Sequence, residues 1–429
     1  MMTEFWNNNK EFLINDIGAI IGIIGGIIAI VMLIVKLAGI KIYKKIITAV
    51  IVLLCIVGIF VVDYNRTKKE YYADYVDQWG IPKGIIKLNK SQMSKTSAHY
   101  RFERSQGKLR RVIYANSYGA SVEHSSTEKV DRPSIQELIY TGNILNAIEL
   151  KNARGKIIAT YFWGGKNYDR IDIQNNKKEK SASALAFSFT SISLNFFEEG
   201  GGTKADIKRF KLTRNEAGYI IRKEFKRNNG DDAVAACDAN GIWGFEYDLD
   251  SFGRPIEIRY LGNNGQYQPD RVGVAKRKYE YDENGNLWKV EYFGINNKPI
   301  LNEQLWASCI KISDENGNII EEKYFDGEGV LCLCEKGYAK VTTKYDEKGN
   351  LIEDIFWGKY GNPCLNKDGF AKCMTKYDER GNPIEATYFG EDGNPCLHKD
   401  GYAKWMAEYD ERGNQIEVDY FGEDGSKLF

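Results

Sequence analysis

Tyr377-Asp378-Glu379-Arg380-Gly381-Asn382 is one instance of a pattern that returns every 32 residues. Tyr345-Asp346-Glu347-Lys348-Gly349-Asn350 precedes it and Tyr409-Asp410-Glu411-Arg412-Gly413-Asn414 follows. The same spacing relates Asp250 with Gly253, Asp282 with Gly285 and Asp314 with Gly317. A glycine three residues after an aspartate supplies the positive φ of a short hairpin loop, and the carboxylate caps the turn. In this copy the flanking strands are Ala371–Tyr377 and Ile384–Phe389, and Gly390-Glu391-Asp392-Gly393 makes a second turn toward the next copy. An aromatic pair closes most return strands: Tyr292-Phe293, Tyr324-Phe325, Phe356-Trp357, Tyr388-Phe389 and Tyr420-Phe421. A glutamate stands mid-strand in the same register (Glu257, Glu321, Glu353, Glu385, Glu417), with Lys289 the exception.

A lone hairpin is marginal in water, so each copy needs its neighbour to cover its aromatic face. A fixed period of this length reads as a repeat architecture. The sequence therefore predicts a mainly β fold over 243–429: six stacked β-hairpin repeats forming an open solenoid-like array. Shorter hairpins of the same kind, irregularly spaced, are expected over 98–242. The repeat turns Asp282/Gly285, Asp314/Gly317, Asp346/Gly349, Asp378/Gly381 and Asp410/Gly413 are read as turn chemistry. One carboxylate per turn is too few oxygens for calcium.

The three Tyr-Asp-x-x-Gly-Asn units resemble the tyrosine–aspartate repeats of bacterial RHS-type proteins. The resemblance covers 243–429 and implies β-strand repeats, often on bacterial surfaces, that enclose or bind other molecules. It brings no catalytic residues with it.

Ahead of the repeats, the formal charge is divided. Asp63–Ile242 carries +10 and Trp243–Phe429 carries −12, within a chain of net charge zero. An acidic array repels phosphate, which disfavours nucleic acid as a partner. Ile17–Val35 and Ile46–Val62 are uncharged runs separated by a connection with four lysines. Runs of this length predict a two-helix transmembrane hairpin over 1–62, with the lipid bilayer as a partner. Gly18, Gly22 and Gly26 would share one helix face, a packing or self-association surface. Residues 63–97 read as a juxtamembrane linker. The lysine loop places both ends outside, whereas Arg66, Lys68 and Lys69 pull the other way. The balance puts a two-pass protein in a bacterial cell membrane with its large domain extracytoplasmic.

Catalytic signatures are missing from the sequence. His99, His124 and His398 are the only histidines. There is no Gly-x-Ser-x-Gly, phosphate-binding loop or dinucleotide fingerprint. Cys332, Cys364 and Cys396 share one repeat position and read as small buried apolar groups. Cys332-x-Cys334 is too close for an ordinary zinc pair. The expectation is a protein that is no enzyme, with neither metal nor cofactor. It would bind or sense a protein or surface ligand through the array, or else perturb a bilayer under control of the β domain.

Overall fold

The computed structural model describes residues 66–122, 133–164, 170–175, 209–226, 240–410 and 415–428, with Ile207, Ala235, Cys237 and Asp238. They divide into two compact units: Lys69–Arg104 with Leu109–Phe429, and the chain up to Lys68 with Ser105–Lys108. The first unit is described below. Its elements are β1 (Lys68–Gln78), β2 (Ile81–Lys87), the one-turn helix α1 (Lys90–Met93), β3 (His99–Ser105), β4 (Lys108–Ala115), β5 (Ile135–Thr141), β6 (Ile144–Lys151), β7 (Ile157–Gly164), β8 (Arg170–Asn175), β9 (Arg209–Arg214) and β10 (Ile220–Lys226). The repeats supply β11 (Gly244–Leu249), β12 (Pro255–Leu261), β13 (Lys276–Tyr281), β14 (Leu287–Phe293), β15 (Ser308–Ser313), β16 (Ile319–Phe325), β17 (Lys340–Tyr345), β18 (Leu351–Trp357), β19 (Lys372–Tyr377), β20 (Pro383–Phe389), β21 (Lys404–Tyr409) and β22 (Gln415–Phe421).

All the strands belong to one sheet, in which β1 pairs with both β2 and β3. Each repeat hairpin is antiparallel, as in Lys372↔Phe389, Cys373↔Tyr388 and Thr375↔Ala386. Adjacent hairpins also pair with each other, through Glu385↔Met406, Ala386↔Trp405 and Thr387↔Lys404. The copies thus meet edge to edge. A hairpin's outer edge carries unpaired N–H and C=O groups as well as an apolar face, and lateral pairing satisfies both.

Side chains alternate between two faces. On one, the first aromatic of each pair alternates with an aromatic from the connection between copies. Tyr292–Trp306, Trp306–Tyr324, Tyr324–Tyr338 and Tyr338–Phe356 lie 5.0, 5.7, 5.9 and 4.7 Å apart by ring centroid. Phe356–Phe370, Phe370–Tyr388, Tyr388–Tyr402 and Tyr402–Tyr420 continue the ladder at 5.7, 4.6, 5.9 and 4.7 Å. Edge-on and tilted ring pairs of this kind contribute roughly 0.5–1.5 kcal/mol each beyond their area burial.

The opposite face carries charge. Lys372 Nζ lies 2.7 Å from Glu353 Oε2 of the preceding copy and 5.6 Å from the centroid of Phe389. Lys404 repeats this with Glu385 at 3.1 Å and Phe421 at 5.6 Å. Lys340 does so with Glu321 at 3.7 Å and Trp357 at 4.7 Å, and Lys276 with Glu257 at 3.5 Å and Phe293 at 5.2 Å. The Lys289 copy breaks the rung on both sides at once, because Ser308 stands where the others have this lysine. Lys289 pairs instead with Glu291 at 2.9 Å and Glu280 at 3.4 Å.

These findings correct two expectations. Among the described residues the only helix is α1, and no helix is long and apolar enough to cross a membrane. The transmembrane hairpin in the expected fold class, and the two-pass localisation built on it, are therefore not supported. Residues 17–62, including Gly18, Gly22 and Gly26, lie outside the described residues. What the sequence gives there is hydropathy, which does not by itself fix a helix. The first run is rich in Ile and Gly and the second in Ile and Val, all of which rank below Leu and Ala as helix formers.

Candidate functional site

The Asp-x-x-Gly-Asn turns form a row along one end of the strands. In each of the fully described turns, the aspartate carboxylate closes the loop. Asp378 Oδ1 accepts from the backbone N–H groups of Arg380 and Asn382 at 2.9 and 2.8 Å, and Oδ2 accepts from Asn382 Nδ2 at 2.8 Å. Asp282, Asp314 and Asp346 accept from Asn286, Asn318 and Asn350 in the same way. Gly285, Gly317, Gly349 and Gly381 all have positive φ. Asp410 directly follows the end of β21, and Gly413 lies outside the described residues.

The row has a second duty that the motif alone does not reveal. The chain from Trp79 to Tyr118 runs back across it. Asn318 Nδ2 donates to the Lys95 carbonyl at 3.0 Å, and its Oδ1 accepts from Ser97 N at 2.7 Å. Asn350 Nδ2 donates to the Tyr118 hydroxyl at 2.9 Å. The turn glycines admit this approach. A Cβ at Gly349 would sit 2.6 Å from the Lys95 carbonyl oxygen, and one at Gly381 2.3 Å from the Tyr118 ring.

Where this crossing segment meets β15–β18 there is an open-sided cleft of about 850 Å³, lined by Lys95, Asn318, Ile320, Thr343, Tyr345 and Glu347 among others. β16 and β17 pair through Glu321↔Thr342, Glu322↔Val341 and Lys323↔Lys340, as the hairpins do at the other repeat junctions, and they part beyond Thr342. Tyr345, the tyrosine of the motif, spans the gap by donating to the Ile319 carbonyl at 3.1 Å.

The same two copies depart from the repeat on the aromatic face. Ile258, Val290, Ala386 and Val418 occupy one position where these copies have Glu322 and Asp354. Glu322 is buried and accepts from the Tyr324 hydroxyl at 2.6 Å, with Lys311 Nζ 3.1 Å away. Burial pushes the Glu322 carboxyl up, but Lys311 and the Tyr324 hydroxyl outweigh it and leave the group below the usual carboxylate range. Asp354 accepts from Thr343 Oγ1 at 2.7 Å. Burial raises its carboxyl despite that hydrogen bond, and Glu322 and Glu353 add to the rise. One ionised carboxylate thus lies near a second held toward its protonated form. Thr343 links Asp354 to the cleft wall.

The two described histidines, His398 and His99, play structural parts, and His124 lies outside the described residues. His398 takes the turn position that Asn366 fills in the preceding copy. Its Nδ1 accepts from Asp400 N at 3.2 Å, and its ring stacks on Tyr402 at 5.3 Å. His99 is enclosed, and burial with Arg101 beside it pushes its ring down to about 4, so it is neutral at pH 7. Among the described residues no group of acidic, histidine and cysteine side chains is arranged to hold a metal. The Cys332, Cys364 and Cys396 thiols donate to carbonyls of the preceding copy (Leu305, Gly337 and Gly369) at 3.6–3.7 Å. Sequence reasoning missed the cleft and the charged pair. The available signal was the two acidic residues at a position otherwise apolar in every copy from Ile258 onward.

No family model matches the chain, and no curated protein matches it. Among solved structures it is similar to a crystal structure of TcdB2-TccC3-TEV, at 11% identity and TM-score 0.29, over 77% of this chain and 19% of that one. A crystal structure of TcdB2-TccC3 is similar at 11% identity and TM-score 0.22, over 80% and 24%. The Tc holotoxin pore of Photorhabdus luminescens is similar at 11% identity and TM-score 0.20, over 77% and 23%. The chain spans about a fifth to a quarter of the length of these solved chains.

Proposed function

We propose that this protein is a repeat-built binding protein that takes a segment of a protein partner in the cleft between the β15–β16 and β17–β18 hairpins, by binding and without chemistry. The observation that carries this reading is a coincidence of place. The cleft and the two departures from the repeat, Glu322 and Asp354, fall on the same adjacent copies. The volume lies within the range typical of binding clefts. Ile320, Ile352 and Tyr345 offer apolar contact, while Lys95 and Glu347 offer opposite charges. The histidine ring nitrogen at His398 is already used by its turn, which favours binding over general-base work.

The test is site-specific photo-crosslinking with a photoreactive residue at Glu347 and, as control, at Glu379, the same turn position one copy later. A defined polypeptide cross-linked at 347 and absent at 379 supports the reading. A synthetic peptide of that segment should then lose affinity for Thr343→Ala. Equal labelling at both positions overturns the cleft as the site. Enclosure of a polypeptide is a second reading, favoured by the return of residues 79–118 across the turn row. Small-angle scattering that fits a particle with no solvent-filled interior would count against enclosure.

A further inference from the structure

Outside the cleft, the connections between copies carry a row of exposed leucines. Leu301, Leu333, Leu365 and Leu397 are 41, 45, 46 and 45% exposed and lie 32 residues apart in sequence. The row is held in fixed spacing by backbone bonds between successive connections. Glu335 N donates to Gln304 O at 2.7 Å, Lys367 N to Lys336 O at 2.9 Å, and Lys399 N to Asp368 O at 2.7 Å. With two strands per copy, the leucines repeat at roughly 9.6 Å.

Two residues beyond each leucine stands a charged group: Glu303, Glu335, Lys367 and Lys399 in order. At that position the row is acidic along its first half and basic along its second, while Lys336, Asp368 and Asp400, one residue further on, carry the opposite sign in their own copies. We propose that this row is the interface of a two-fold homodimer in which the rows of two copies run antiparallel. The dyad places Leu301 opposite Leu397 and Leu333 opposite Leu365. It also sets Glu303 against Lys399, Glu335 against Lys367 and Lys336 against Asp368, so these charges meet their opposites. A parallel arrangement puts like on like. An isologous interface requires this self-complementarity, and a second copy matches the row's spacing by identity. An α-helix offers its heptad repeat at about 10.5 Å and drifts out of step along the row. Within the chain, Lys367 pairs with Glu335 and Lys399 with Asp368, but Lys367 and Lys399 remain 60 and 57% exposed. Such exposed pairs are weak and add little resistance to a partner's charges.

The experiment measures association of the full chain by sedimentation equilibrium, with circular dichroism confirming that every variant folds. Wild type should dimerise. Lys367→Glu with Lys399→Glu makes that position acidic in all four copies, and Glu303→Lys with Glu335→Lys makes it basic in all four. Each double variant alone should lose at least about tenfold in self-association, from like charges facing across the dyad. Mixed together, the two should form heterodimers at close to wild-type strength. A monomeric wild type, double variants that self-associate like wild type, or a mixture that fails to pair would each overturn the proposal.

Discussion

The sheet is not packed evenly from one end to the other. In β9 to β12 the aromatic face is sealed: Phe210 and Phe225 are 0% exposed, and Phe245 and Tyr260 are 3 and 2%. In β18 and β20 the equivalent rings Phe356 and Tyr388 are both at 9%, and Tyr420 in β22 is only half-buried. Ring contacts continue at similar spacing throughout, so the ladder itself does not weaken. What changes is the cover over it. The later repeats, from β18 onward, are thus the thinner part of the core, while the strands from β9 through the first repeat hairpin are the better sealed. Regularity of motif marks how the units join, and depth of burial marks where the stability lies.

That contrast is most directly broken at its ends. Phe225→Ala should cost about 3–5 kcal/mol in chemical denaturation, as for a core aromatic, and Tyr420→Ala about 1 kcal/mol. Equal losses would remove the difference between the two regions. Next in size is the charged exception in the middle. Glu322→Gln leaves Lys311 without its carboxylate partner and should cost about 3 kcal/mol. Replacing the pair together, Glu322→Val with Lys311→Thr, gives the copy the kinds of residue its neighbours carry, and most of that loss should be recovered. A double variant as unstable as the single would show that the pair is not the cause.

Turn chemistry sharpens the comparison at a smaller scale. Asp238 Oδ1 accepts from Asn240 N and Ile242 N at 2.9 Å, the role that Asn302 and Asn366 fill later. Burial pushes its carboxyl up to about 7 despite those bonds. The folded state therefore holds this proton more tightly than the unfolded chain. Stability contributed here is present below pH ~4 and is lost as pH rises toward 7. Asp238→Asn keeps the acceptor oxygen and should raise stability at pH 8 by roughly 2–3 kcal/mol, with little change at pH 4. Melting at the two pH values checks the sign.

At the turn row, Gly381→Ala should cost about 2–3 kcal/mol, against about 1–2 for Gly393→Ala. Both have positive φ, but only Gly381 faces a side chain, Tyr118, while Gly393 faces open space. Adding Tyr118→Ala should bring the two costs together. Smallest of all, Glu385→Gln on the charged face should change stability by less than about 1 kcal/mol and chiefly at low salt.

How much of this was legible depends on how local each cause is. The hairpin turns could be read because Asp378 and Gly381 act within five residues of each other. The alternation of Tyr388 and Phe389 between faces followed from strand geometry alone. The edge-to-edge pairing did not follow. A period of 32 fits copies stacked face to face as well as copies joined laterally, and only the register Glu385↔Met406 distinguishes them. The second role of Asn318 and Asn350 stayed hidden because their partners, Lys95 and Tyr118, are more than 220 residues away. The apolar runs near the start were read from hydropathy, and the described residues carry no spanning helix. The Lys289 exception was visible, but its meaning needed Ser308, which registers only when the two strands are known to adjoin.

That last exchange has a consequence for how such an array can grow or shrink. Each charge rung straddles two units, joining a glutamate of one to a lysine of the next. Excising residues 322–353 would bring Glu321 beside Lys372 and leave an intact rung. Excising 290–321 would instead bring Lys289 beside Lys340, like charges in adjoining strands. Losing 258–289 would leave Glu257 facing Ser308. Unequal crossing-over can thus add or drop copies freely beyond Glu321. Between Glu257 and Lys340 it is penalised, because the broken Lys289–Ser308 rung ties its two neighbours into a block that is inherited whole.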